Sequence, residues 1–106
     1  MEFTLTMICY DRKFFLFRVL NSSIEEVAKS IAQDLTFKFN YYDTFFSKYI
    51  HCTCYLKKVV EDESTTFEFL VKINRRSNDI VPLLIDTLYK VAYEYLDGYD
   101  AEVEIK

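Results

Sequence analysis

Apolar and polar residues alternate from the start of the chain. In EFTLTMICY, residues 2 to 10, Phe3, Leu5, Met7 and Cys9 share one side, while Glu2, Thr4 and Thr6 share the other. Period two with one apolar side predicts a strand buried on one face. The polar DRK at 11–13 breaks the pattern. FFLFRVL at 14–20 then resumes it, with Phe15, Phe17 and Val19 together. This predicts a β-hairpin, although its turn lacks a glycine.

The period then changes. In NSSIEEVAKSIAQDL, Ser23 and Glu26 have the S-x-x-E spacing of a capping box, and Ile24, Val27, Ala28, Ile31 and Leu35 follow at helical spacing. The aromatics of TFKFNYYDTFF fit neither period, and the helix is expected to fray within them. Alternation returns over 49–60: Ile50, Cys52, Cys54 and Leu56 face one way, and Tyr49, His51, Thr53, Tyr55 and Lys57 the other. A charged turn, EDES, leads to a strand with Phe67, Phe69, Val71 and Ile73 inward. RRSND supplies a helix cap at Asn78 or Asp79, Pro82 suits the first turn, and Val81, Leu84, Leu88, Val91 and Tyr95 form a second stripe. Gly98 stands where a left-handed helix terminator belongs, and AEVEIK reads as a short strand with Ala101, Val103 and Ile105 inward.

The expected order is ββαββαβ: an α+β, two-layer fold with a mainly antiparallel five-stranded sheet and both helices on one face. At 106 residues the chain is expected to be a single domain spanning 1–106. It contains two similar ββα halves, about 2–40 and 49–97, followed by a C-terminal strand. Duplication and repeated use of one packing solution both account for that likeness. Tyr10, Tyr49 and Tyr55, with Leu16 and Leu70, fall on the sheet face turned from the core, where exposed aromatics mark a contact surface or dimer seam.

Composition narrows the chemistry. A single glycine cannot build a Walker loop or a dinucleotide fingerprint. Charged residues through the first twenty positions argue against a signal peptide, and no apolar run approaches the ~20 residues of a membrane span. Three cysteines without a secretory signal suggest free thiols in a reducing compartment, with cytoplasm (that of the host, for a phage- or virus-encoded protein) the expected location. Abundant Tyr, Phe, Ile and Lys with scarce Gly, Pro and Ala is the flavour of an AT-rich coding sequence, as in many mobile elements and viruses.

YIHCTCYLKK, residues 49 to 58, gathers the only histidine and two of the three cysteines. On a strand Cys52 and Cys54 point the same way about 6.5–7 Å apart, too far for a disulfide, and His51 points to the opposite face. Zinc needs four ligands, so no metal site is expected here. A lone histidine without a converging nucleophile and orienting partner does not make a catalytic centre. The expectation is a non-enzyme with no catalytic residues, no metal and no cofactor.

Charge says more. Residues 1–60 carry six acidic and eight basic side chains, a balance of +2, and residues 61–106 carry eleven and five, a balance of −6, which together make the net −4. YEYLDGYDAEVE (93–104) holds Glu94, Asp97, Asp100, Glu102 and Glu104 without a base, interleaved with Tyr93, Tyr95 and Tyr99. On a strand Asp100, Glu102 and Glu104 project from one face at about 6.5–7 Å intervals, roughly twice the ~3.4 Å rise per phosphate of one DNA strand. The candidate partner-binding residues are therefore Glu94, Tyr95, Asp97, Tyr99, Asp100, Glu102 and Glu104. Tyr10, Tyr49, His51 and Tyr55 form a second candidate surface. The same acidic residues serve equally as a solvated surface that keeps a tyrosine-rich protein dispersed. Direct nucleic-acid binding is disfavoured by net acidity, and the expected partner is a protein with a basic, nucleic-acid-binding surface, with a second copy of the chain as an alternative.

Small size, acidity, the lack of an assembled catalytic group and AT-rich flavour resemble those of small phage-type inhibitors of host defence nucleases, of the anti-CRISPR or anti-restriction kind. Toxin-immunity proteins share the profile. The resemblance is one of profile, carried by no motif, and it implies an inhibitor that mimics DNA with an acidic, tyrosine-rich surface. The alternative is a homo-oligomeric interaction module or an immunity protein without nucleic-acid mimicry.

Overall fold

A computed structural model describes residues 1–10, 23–41, 51–74 and 81–106. The elements are β1 (Glu2–Cys9), α1 (Ile24–Tyr41), β2 (Cys52–Glu61), β3 (Thr65–Ile73), α2 (Val81–Tyr95) and β4 (Ala101–Ile105). The strands form one antiparallel sheet in the order β2-β3-β1-β4. Each helix thus connects two strands that are separated in the sheet by a third, α1 joining β1 to β2 and α2 joining β3 to β4. Together these make the split β-α-β, ferredoxin-like arrangement.

The sheet corrects the five-stranded expectation: among the described residues it has four strands. The reason is the place of β1. Its register pairs Glu2–Cys9 with Lys72–Thr65 of β3 on one side and Leu5–Cys9 with Ile105–Ala101 of β4 on the other. Both edges of β1 are taken, so the expected hairpin partner has no edge to join. Residues 14–20, assigned to that partner, lie outside the described residues, as do the cap at Asn78 or Asp79 and Tyr49.

One face of the sheet makes the core. Leu5, Met7, Phe67, Phe69 and Val71 are fully buried, and they pack with Ile31, Leu35, Leu88, Val91 and Ala92 of the two helices in a single cluster. Among the described residues both helices therefore lie on this inner face. Ser23 caps α1, accepting from the Glu26 N–H at 3.2 Å through its hydroxyl, while its carbonyl accepts from the Val27 N–H at 3.0 Å. Gly98, at φ 85°, ends the turn after α2 in the left-handed region.

α1 reaches Tyr41, inside the aromatic stretch expected to end it, and its last turns are bonded to β2. The Cys54 N–H donates to Thr36 Oγ1 at 2.8 Å, and that hydroxyl donates to the Ala32 carbonyl at 2.9 Å. One turn later Asn40 Oδ1 accepts from the Cys52 N–H at 2.9 Å, and its Nδ2 lies 2.9 Å from both the Cys52 and the Thr36 carbonyls. Two polar side chains four residues apart thus satisfy the outward backbone groups of an edge strand, which would otherwise invite another chain. At the opposite edge the Ile105 N–H donates to the Tyr89 hydroxyl of α2 at 3.1 Å.

Candidate functional site

The His–Cys stretch divides between inside and outside. Cys52 and Cys54 are buried free thiols of the core, and burial pushes both up to about 12. At neutral pH they are protonated, poor nucleophiles and poor ligands. His51 is exposed ahead of β2, its N–H bonded to Asn74 Oδ1 at 2.9 Å, beside an open hollow of about 290 Å³ that Lys72 and Thr53 also line. Among the described residues no three His, Cys, Asp or Glu side chains gather as a metal-binding group.

The face of the sheet turned away from the helices is built by strand register. Thr53 of β2, Lys72 of β3 and Glu2 of β1 form one cross-strand row, and Tyr55, Leu70, Thr4 and Lys106 the next. Lys58, Glu68, Thr6 and Glu104 form a third row, and Val60, Thr66, Ile8 and Glu102 a fourth. The register shifts between Leu56 and Lys58, so Lys57 is the extra residue and the expected run of Tyr55 with Lys57 on one face is broken. Tyr10, Tyr55 and Val60, exposed to 44%, 50% and 41%, lie on this face. Lys72 joins two of the rows, its ammonium 5.6 Å from the Tyr55 ring centroid and 3.9 Å from the Glu2 carboxylate.

The acidic candidates fall along one margin. Glu102 and Glu104 project from β4 onto the open face, and the Asp100 carbonyl continues the ladder by accepting from the Tyr10 N–H at 2.8 Å. Asp97 and Tyr99 stand in the turn that Gly98 closes, and Glu94 is exposed on the last turn of α2. Tyr95 points away from this margin: it packs against the core and donates to Asp34 of α1 at 3.4 Å. Tyr10 ties the second candidate surface to the first a second time, its hydroxyl donating to Glu102 at 3.2 Å. Desolvation and then the charge of Glu102 raise the Tyr10 phenol above its ordinary value, which keeps it a donor. Lys106 is a base at this margin, 3.1 Å from Glu104.

Residues that sequence reasoning did not single out complete the open face: Ile8, Lys58, Val60, Glu68 and Lys72. Alternation places each on the outer side of its strand, but only the pairing register puts them in rows. No protein-family model matches the chain, and no curated protein matches it. Among the described residues no helix is long and apolar enough to cross a membrane.

Proposed function

We propose that the protein is a small binding protein that occupies a basic surface on a larger partner through the margin formed by Glu94, Asp97, Tyr99, Asp100, Glu102 and Glu104. What supports the reading is one observation: these carboxylates are exposed along a continuous run of chain, anchored between a helix end and a paired strand, with Lys106 as the counter-charge beside them. Carboxylates fixed on a scaffold lose little conformational freedom on binding and steer a basic partner from a distance. The partner class that fits is a nucleic-acid-binding protein, whose phosphate groove must be basic. The mode of action is to fill that groove, as an inhibitor of a host defence nuclease of the anti-CRISPR or anti-restriction kind does in a host cytoplasm.

The test uses the variant Asp97→Lys/Asp100→Lys/Glu102→Lys, which leaves Glu104 in place. The wild-type protein is expected to retain a basic nucleic-acid-binding protein from host lysate at low salt and to release it at high salt, since screening shortens electrostatic reach to about 3 Å at 1 M. The reversed variant is expected to fold and to retain nothing. Equal retention by a folded variant would defeat the proposal.

A further inference from the structure

We propose that the open face of the sheet is also a homodimer interface, two copies stacking sheet on sheet about a two-fold axis parallel to the strands. The argument goes beyond the acidic-margin reading and does not depend on it. It begins with the edges, where helix side chains already occupy backbone groups: Thr36 and Asn40 at Cys52 and Cys54, and Tyr89 at Ile105. Those positions cannot receive another strand. The open face offers Tyr10, Tyr55 and Val60 well exposed, with Ile8 and Leu70 half-buried between them.

Charge on this face selects the partner. The β2–β3 side carries Lys58 and Lys72, and the β1–β4 side carries Glu2, Glu102 and Glu104. Stacking about an axis parallel to the strands, midway between β3 and β1, keeps each cross-strand row over the same row of the other copy and exchanges its ends. Lys58 then lies over Glu104 of the second copy, because both belong to the Lys58–Glu68–Thr6–Glu104 row. Lys72 lies over Glu2 and Tyr55 over Lys106, while Leu70 covers Thr4 and Ile8 covers Thr66. Symmetry makes each contact twice. An axis across the strands would instead set β2 on β2 and β4 on β4 with the rows in reverse order, and would never bring Lys58 to Glu104. Glu68 and Lys106 are the exceptions to the pattern: Glu68 meets the neutral Thr6, and Lys106, already beside Glu104 of its own chain, meets Tyr55.

The twist of each sheet turns aligned sheets by about 30° and displaces the edge pairs, a shift that long Lys and Glu side chains can span. Four strands about 4.8 Å apart and about 27 Å long give roughly 500 Å² of sheet plane. That is less than the ~800 Å² per partner of a standard interface, so the dimer is reversible and salt-sensitive, with a dissociation constant on the order of micromolar. Nucleic acid fits the face poorly, since its carboxylates would meet phosphates.

Sedimentation velocity over a concentration series tests this. Wild-type protein is expected to pass from monomer to dimer and to shift back toward monomer in high salt. Lys58→Glu and Glu104→Lys are each expected to weaken self-association by about tenfold. Mixing the two single variants is expected to restore dimer, since each supplies the charge the other lacks. The double variant K58E/E104K, whose net charge is unchanged, is expected to self-associate within a few-fold of wild type. Circular dichroism establishes that each variant is folded; if Lys58→Glu unfolds beside Glu68, Glu104→Lys alone and the double variant carry the test. A wild-type monomer at every concentration overturns the proposal, as does a dimer indifferent to the reversals. So does a face that binds single-stranded oligoribonucleotide without self-association.

Discussion

The two faces of the sheet use the same strands and differ in every other residue. On the inner face Leu5, Met7, Phe67, Phe69 and Val71 are sealed beneath the helices. On the outer face Thr4, Thr6, Thr66, Leu70 and Ile8 are half-buried among charged residues and exposed tyrosines. The inner face obtains its stabilisation from lost contact with water, at roughly 25 cal/mol per Å² of apolar surface, and tolerates no charge. The outer face holds charges in rows, where substitutions change what the protein meets more than whether it folds.

That contrast can be broken most severely from inside. Ile31→Asp and Leu88→Asp each set a carboxylate where the wild-type side chain is 0% and 3% exposed. The expected cost, about 4 kcal/mol or more, rivals the whole stability of a small domain, so loss of the cooperative thermal transition is the expected result. A normal melt for either variant would show that the helix stripe does not face the sheet.

A smaller effect is expected at the join between helix and strand. Asn40→Ala removes the partner of both backbone groups of Cys52, and Thr36→Val strands the Cys54 N–H. Each is expected to cost about 1–3 kcal/mol in urea denaturation. The pair shares one network through the Thr36 carbonyl, so the double variant is expected to cost less than the sum of the two.

The effect least visible at neutral pH is a pH dependence of the inner face. Cys52 and Cys54 ionise at about 12 in the folded protein against 9.0 ordinarily. The folded state holds its protons longer, so the contribution to stability is complete below pH 9 and is lost as pH rises toward 12. The loss is at most about 1.4 kcal/mol per pH unit for each thiol. Cys52→Ala/Cys54→Ala is expected to be less stable at neutral pH yet to fall less steeply than wild type between pH 9 and 10.5. Parallel slopes for the two proteins would show that the thiols are not shielded from water.

The strands, both helical stripes, the Ser23 cap and the Gly98 terminator could be read from residue patterns, because each depends on neighbours within a few positions. Pairing could not. The hairpin placed on β1 followed the tendency of consecutive strands to lie together. The sheet instead gives β1 two partners from much later in the chain, and no local pattern marks that choice. The bonds of Thr36 and Asn40 to β2 were not legible for a related reason, since Thr and Asn weaken an isolated helix and are held there through β2. The acidic candidates were found as a run of charge, but Tyr95, counted with them, belongs with the core. The basic half of the open face, Lys58 and Lys72, became a group only through register.

The central position of β1 also sets a timetable for synthesis. β1 is the first of the described strands to be made, yet both its neighbours come late, and β4 lies about 90 residues downstream of it. At ribosomal speeds of about 5–20 residues per second, β1 waits roughly 5 to 20 s before its second partner exists. During that interval Leu5 and Met7 are apolar groups without a home. Of the described strands, the first to be made is therefore among the last to gain both its neighbours.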